Sequence, residues 1–315
     1  MRSEFKHIKF VNNNNFLYKC IMLSSKTKIK SEINEWQTKL FSVSLRRENK
    51  LKKIKSYLNN VSDLKILEVS SGDAVLSQKL MENHNNWTTV SINEESSKSL
   101  NYYLKNKTEI INNNKIPFSD GEFDLLIIID CLKNVLDDYE FIQECHRVIN
   151  NNGWVIISER KKYPGSLVAL LQHIFKTKPI STGAIRNGYT SDQLYRILKD
   201  GFDVPEINSY SNALLETLAV FNDLIQRSFF KIPVWIISNY NKKEDLYRYR
   251  NLYNLSKLTY PLMWIFSKFN FLPNHEMILK SRRRRWSPRR QPKLVDGRSI
   301  AEATINTRIG TAAPF

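Results

Sequence analysis

The chain has 315 residues, 42% hydrophobic and 25% charged, which is enough apolar material for a sizeable core and excludes a purely disordered polymer. Its 48 lysines and arginines against 31 acids leave a net charge of +17, which attracts anionic surfaces without choosing among nucleic acid, acidic lipid and anionic glycan. Cys20, Cys131 and Cys145 lack metal-ligand spacing and are too few for a disulfide framework, and no run of about 20 apolar residues could span a bilayer.

Residues 1–32 read as a poorly structured N-terminus, with the polar run Asn12–Asn15 and scattered lysines. The apolar piece Phe16–Leu23 is short and carries Lys19, so no signal peptide is expected, and a reducing cytoplasm is the expected compartment. From Ile33 to Leu58, apolar residues such as Trp36, Leu40, Leu51 and Ile54 recur at helical spacing and predict one or two helices. Between them stand Arg46, Arg47, Lys50, Lys52, Lys53 and Lys55, a charge run expected to face solvent.

Strands and helices then alternate. Lys65–Ser70 reads as the first strand, Ala74–Glu82 as a helix, Trp87–Ile92 as the second strand and Ser96–Lys105 as a helix. Glu109–Ile111 is a short third strand. Leu125–Ile129 is the fourth, fully apolar as a parallel strand covered on both faces should be. Tyr139–Ile149 reads as a helix and Trp154–Ser158 as the fifth strand. Ser191–Lys199 is a helix closed by Gly201, Val204–Ser209 the sixth strand and His275–Lys280 the seventh. This order predicts an α/β fold, a Rossmann-like doubly wound seven-stranded sheet with ligands at the carboxyl ends of its strands.

A helical insertion, about residues 210–273, separates strands six and seven and contains the apolar patterns Ala213–Phe230 and Leu258–Phe269. It reads as a cap over the sheet, or as a hydrophobic lid or membrane-surface element, since aromatics mixed with Lys257 and Lys268 suit an interface. After Lys280 the composition shifts to Arg282–Arg285 and Arg289-Arg290, and 287–315 reads as a basic disordered tail following a domain over 33–286.

Four segments together carry a family resemblance. Ile66-Leu-Glu-Val-Ser-Ser-Gly-Asp-Ala74 has an acidic residue ahead of a turn of small residues. Ile116-Pro-Phe-Ser-Asp-Gly-Glu-Phe-Asp124 leads into strand four, and Glu144–Ile149 with Gly153–Glu159 gives a helix end, a glycine turn and a strand. Arg186-Asn-Gly-Tyr-Thr190 starts a later helix. Over roughly 60–210 the chain resembles the class I S-adenosylmethionine-dependent methyltransferases of the type 11 kind.

That resemblance implies S-adenosyl-L-methionine as cofactor and a set of positions around it. Glu68 takes the acidic position that orients the turn, and Ser70, Ser71, Gly72 and Asp73 form the turn itself. The family's three glycine positions read Ser70, Gly72 and Ala74, so only the central one is kept. Asn93, followed by Glu94, stands where the family has a ribose-binding acid. Asn112 and Asn113 stand where it faces adenine. Asp130, at the end of strand four, is the best placed acid for the cofactor–acceptor region, and a plain helix cap is the competing reading. Arg186 and Tyr189 could line an acceptor pocket. His146 reads as a packing residue, His84 and His173 as isolated and exposed, no residue is assigned as a catalytic base, and no metal site is expected.

The implied function is methyl transfer to a small acceptor such as a glycan, a lipid-linked intermediate or another hydrophobic metabolite, with peripheral membrane contact as a companion expectation. The alternative is a catalytically inactive methyltransferase-like binding or scaffold protein. Nucleic acid is not expected as a partner, because no aromatic RNA-binding signature accompanies the basic residues.

Overall fold

The computed structural model describes residues 28–58, 63–104, 108–175, 184–205, 207–229, 243–269 and 271–285. The expected tail 287–315 and residues 1–27 lie outside the described residues. Five strands run parallel: β1 (Ile66–Ser70), β2 (Trp87–Ser91), β3 (Glu109–Ile110), β4 (Phe123–Ile129) and β5 (Ile149–Arg160). Three more complete the sheet: β6 (Phe202–Asp203), β7 (Asn208–Asn212) and β8 (Asn274–Arg283), with β8 antiparallel to each of β5, β6 and β7. The order is β3-β2-β1-β4-β5-β8-β6, with β7 pairing β8 beside it. Strand order reverses between β1 and β4, so the crevice where a ligand sits in such a sheet opens at their carboxyl ends.

Eight strands stand where seven were expected, because the predicted sixth strand is divided. Pro205 has no N–H to give a ladder and restricts Val204 before it, so pairing stops at Asp203 and resumes at Asn208. The helices are α1 (28–42), α2 (Leu45–Leu58), α3 (Ala74–Met81), α4 (Glu94–Leu104), α5 (Asp138–Val148), α6 (Leu167–Ile174), α7 (Ser191–Leu198), α8 (Ala213–Phe229) and α9 (Lys243–Phe266). Helix α1 starts five residues ahead of the predicted Ile33, inside the segment read as poorly structured. Helix α6 had no counterpart in the sequence reading. Ser166 caps it, its hydroxyl accepting from the Ala169 N–H at 3.1 Å.

Both faces of the sheet are covered, which is why the central strands are apolar without alternation. On one face Leu67, Val69, Leu126, Ile128, Val155 and Ile157 pack with Phe141, Ile142 and Leu194 of α5 and α7. On the other, Ile66, Leu125, Ile127 and Ile156 pack with Ile54 of α2, Leu76 of α3 and Leu100 of α4.

The segment 116–160, the clearest family signal, works mainly as scaffold. The Arg147 guanidinium donates to the carbonyls of Ile116 at 3.0 Å and Phe118 at 2.8 Å and pairs with Asp120 and Glu144. Glu144 in turn accepts from the Ile116 N–H. Helix α5 thus grips the turn that feeds β4. At Gly153 a Cβ would fall 2.2 Å from the Ile149 side chain and 2.8 Å from the Asp124 carbonyl, so β5 can lie against β4 there only without one.

Candidate active site

The turn after β1 is tied down from three sides. Gly72 has φ +104°, a backbone state that side chains other than hydrogen rarely adopt. Glu68 is wholly buried and spends its carboxylate inward: it accepts from the Ser77 hydroxyl of α3 at 2.6 Å, the Trp87 indole N–H at 3.0 Å and the Thr89 hydroxyl at 3.3 Å. Burial pushes its pKa up while these bonds oppose the rise. Glu68 therefore braces β2 and α3 against β1. The Ser70 hydroxyl pairs with Ser77 and accepts from the Gly72 N–H. Asp73 caps α3 through the Leu76 N–H.

The serine-rich first turns of α4 clasp the same loop. The Ser96 hydroxyl donates to the Ser71 carbonyl at 2.9 Å, and the Ser99 hydroxyl to the Gly72 carbonyl at 3.1 Å. Neither serine was singled out in the sequence, although the run Glu94-Glu-Ser-Ser-Lys-Ser99 directly after a strand was the available signal. Asn93 caps α4 by accepting from the Ser96 N–H at 2.8 Å, and Glu94 is exposed, 3.3 Å from Lys98. Asn112 and Asn113 are exposed at the turn after β3, where Asn113 has φ +48°. Asn93 and Glu94 thus stand beside the turn 70–73, while Asn112 and Asn113 follow β3, two strands away from β1 in the sheet.

The cations of α2 correct the sequence reading. Arg46, Arg47 and Lys50 were expected in solvent; all three point into the protein and pair with acids. Arg47 makes a two-pronged contact with Asp73. Arg46 donates to Glu276 of β8 at 2.8 Å and lies 3.5 Å from Glu216 of α8. The Lys50 ammonium bridges Asp130, at the end of β4, and Glu276, 3.3 Å away. Arg160 of β5 also reaches Glu216, at 3.3 Å. Lys52 and Lys53 are exposed as expected. Helix α2 therefore lies across the carboxyl ends of β1 and β4 and is fixed there by charge.

Two neighbouring carboxyls receive opposite treatment. Asp130 sits at φ +55°, and burial alone would raise its pKa, yet the Lys50 ammonium holds it below its ordinary value. Glu159, at the end of β5, accepts the Leu132 N–H at 2.6 Å through one oxygen, while the other is buried with no hydrogen-bond partner. Burial raises its carboxyl to about 7 against the pull of Lys133, with Asp130 adding to the rise. Pairs whose environments drive them apart in this way are poised to hold a proton on one member and a charge on the other.

These shifts fix the sign of the pH dependence. Unfolded, Glu159 loses its proton near 4.5; folded, near 7. Its contribution to stability is whole below the unfolded value and is lost as pH rises through about 7. Glu276 acts oppositely: burial opposes its charge, but Lys50, Arg46 and Arg160 hold it far below the carboxylate range, so its contribution is present above about 4.5 and lost in acid. Glu159→Gln is expected to flatten the decline in urea midpoint between about pH 5 and 8 and leave the acid limb unchanged. A decline as steep as that of the parent chain would contradict this assignment.

The remaining predicted residues pack. Tyr189 is buried, and its hydroxyl donates to the Leu132 carbonyl or to Asp138, both at 3.0 Å. Arg186 grips the carbonyls of Val135 and Leu136. His146 is buried edge-on against Phe202, with Nε2 2.9 Å from the Arg284 carbonyl. His84, expected to be exposed, is half-buried against Trp87. Cys131 and Cys145 are buried thiols whose pKa burial pushes up. No cluster of three metal-ligating side chains occurs among the described residues.

Residues 67–157 match the family described as "Methyltransferase domain". They span β1 to most of β5, the turn 70–74 and Asp130 included. Over these residues the chain carries a methyltransferase domain. Its similarity to a ubiquinone biosynthesis O-methyltransferase of Rickettsia bellii is 24% identity over 188 residues, covering 55% of this chain and 75% of the relative. Among solved structures, a candidate sarcosine dimethylglycine methyltransferase of Galdieria sulphuraria aligns over 76% of this chain and 85% of its own, with 15% identity and a TM-score of 0.48. Geranyl diphosphate C-methyltransferase of Streptomyces coelicolor aligns over 75% and 76%, with 10% identity and a TM-score of 0.45.

The methyltransferase's cofactor is S-adenosylmethionine, which when bound supplies a methyl group on a sulfonium, electrophilic toward oxygen and nitrogen lone pairs. The frame fits it. A left-handed glycine stands in the turn at the switch point, only small side chains flank it at 70, 71 and 74, and polar side chains stand beside it at 93 and 94. Besides the departures from the family pattern at 70, 74 and 93, Glu68 and Asp73 are already engaged by Ser77, Trp87 and Arg47.

Proposed function

We propose that this methyltransferase transfers its methyl group to a hydroxyl of an amphiphilic small molecule, a lipid-linked glycan or prenylated phenol, taken up at a membrane surface. Its cofactor is proposed to rest on the backbone of Ser70, Ser71, Gly72 and Asp73, with Asn93 and Glu94 toward the ribose and Asn112 and Asn113 toward the adenine. Asp130, kept anionic by Lys50 and only partly covered, orients the acceptor hydroxyl by accepting its hydrogen bond.

The observation that carries the acceptor class is a groove of about 610 Å³ between α2, β7 and the end of α9. It is lined by Asn49, Lys53, Ser56, Ser211, Asn212 and Ser267, among others. Amides, hydroxyls and an ammonium suit a polyol or anionic head group. The groove ends at Ser267, where the exposed apolar part of α9 begins, so a head group in the groove would leave its tail along that helix. The name of the Rickettsia relative, an O-methyltransferase, agrees with an oxygen acceptor.

The test is transfer of a labelled methyl group from S-adenosylmethionine to a prenylated phenol, a polyprenyl-linked sugar and their short water-soluble analogues. An amphiphilic acceptor is expected to exceed its soluble analogue in kcat/KM by about tenfold or more, because the remote tail supplies binding energy. Equal rates would overturn the acceptor class. Absence of transfer to any of them would overturn the proposal.

A further inference from the structure

We infer that the C-terminal half of α9 and the turn after it form a docking surface for an anionic lipid bilayer, lying on the membrane with α2 and the groove facing its edge. This deepens the acceptor reading above and rests on it only for its purpose; the surface itself stands on separate observations.

Between Met263, which packs with Leu45 and Leu215, and the solvent, α9 is sharply two-sided. Its outer side carries Leu258, Leu262, Trp264 and Ile265, and the turn beyond adds Phe269 and Phe271. Leu258 and Phe271 are 78% and 81% exposed, values that packing within one chain does not explain. Residues 258, 262 and 265 follow the spacing of one helical stripe. Phe266, Phe269 and Phe271 meet edge to face, with centroids 6.4 and 5.8 Å apart, so the apolar surface is continuous through the turn.

Charge selects the occupant. From Leu246 to His275 there is no acidic residue, whereas Arg250, Lys257 and Lys268 are present and exposed. Lys268 holds its ammonium 4.8 Å above the Trp264 ring, at the border between apolar and charged surface. A second copy of the chain would bring these cations against their own images in a two-fold contact, a repulsive arrangement. An anionic bilayer answers both features at once: Trp and Phe settle at the head-group level, while Lys and Arg reach the phosphates. No helix among the described residues is long and apolar enough to cross a membrane, so the contact is with the surface.

Tyr260, within the same stretch of α9, lies 3.4 Å from Glu48 of α2. The helix that closes over Asp130 and Asp73 is therefore adjacent to the docking surface, and an acceptor held in the lipid would approach from that side.

The experiment is flotation of the full chain with vesicles of phosphatidylcholine alone and of phosphatidylcholine with about 30% phosphatidylglycerol. The parent chain is expected to float with the anionic vesicles and not with the neutral ones. Trp264→Ser with Phe271→Ser changes only exposed side chains and is expected to lower the bound fraction about tenfold, with the calorimetric affinity for S-adenosylmethionine and the unfolding midpoint unchanged. Equal flotation of parent and variant would assign binding to charge elsewhere and overturn the proposal. So would failure of the parent to float, or a dimer that the double substitution dissolves. Flotation without methyl transfer would leave this surface standing and remove the acceptor reading instead.

Discussion

Lys50→Met is expected to lower the unfolding free energy by about 3–5 kcal/mol, because it leaves Asp130 and Glu276 as buried carboxylates without their shared cation. The lysine is 7% exposed and Glu276 is not exposed at all, so water cannot take over its role. Burial works against the Lys50 charge, but Asp130 and Glu276 outweigh it and raise its pKa well above the ordinary lysine value. A loss of this size is a large share of the roughly 5–15 kcal/mol that holds a domain together. Lys53→Met, which makes the same charge change at an exposed position of the same helix, is expected to shift stability by no more than about 0.5 kcal/mol. Denaturant unfolding of the two variants side by side separates burial from net charge. A Lys50→Met variant as stable as Lys53→Met would mean that the ion network contributes nothing.

Gly72→Val is expected to weaken S-adenosylmethionine binding about tenfold or more and to cost about 1–3 kcal/mol of stability. Two effects combine. The residue needs φ +104°, which a β-branched side chain strongly resists, and its Cβ would lie 3.1–3.2 Å from Ser96. Ser96 belongs to the α4 turn that clasps the loop, so the strain moves the polar rim at Asn93 and Glu94 as well as the turn. Gly165→Val offers a control, since that glycine has a similar φ of +78° but open space around it. It is expected to lose stability through backbone strain while keeping cofactor affinity. Calorimetric titration of both variants reads the affinity directly.

Much of this was legible in the sequence, for identifiable reasons. The parallel strands announced themselves because burial on both faces demands continuous apolar runs such as Leu125–Ile129. The turn at 116–124 and Arg147 were legible as a motif because the contact between them is a fixed backbone-to-guanidinium grip. The sixth strand was misplaced because its apolar pattern hid the effect of Pro205. Helix α6 was passed over because its eight residues, Leu167–Ile174, open on a five-residue apolar run, too short to tell helix from strand by period. The greatest difference concerns α2. A run of lysines and arginines reads as solvated unless its partners are known, and those partners, Asp73, Asp130, Glu216 and Glu276, are scattered over more than 200 residues. Long-range ion pairing leaves no local trace.

The same observation alters what the eroded glycine pattern means. Serine at 70 is not a failed glycine alone: its hydroxyl links Ser77 to the Gly72 N–H and so helps hold the turn that Glu68 supports from below. The turn has exchanged some of the family's backbone freedom for side-chain hydrogen bonds. A preorganised turn of that kind can still receive the cofactor through its backbone.

The measurement that tests this most directly is calorimetric titration of the full chain with S-adenosylmethionine. Saturable binding with one site per chain, lost or weakened about tenfold or more in Gly72→Val, is the predicted result. Absence of heat from the parent chain at millimolar ligand, with Ser70→Gly and Ala74→Gly together creating it, would contradict the account.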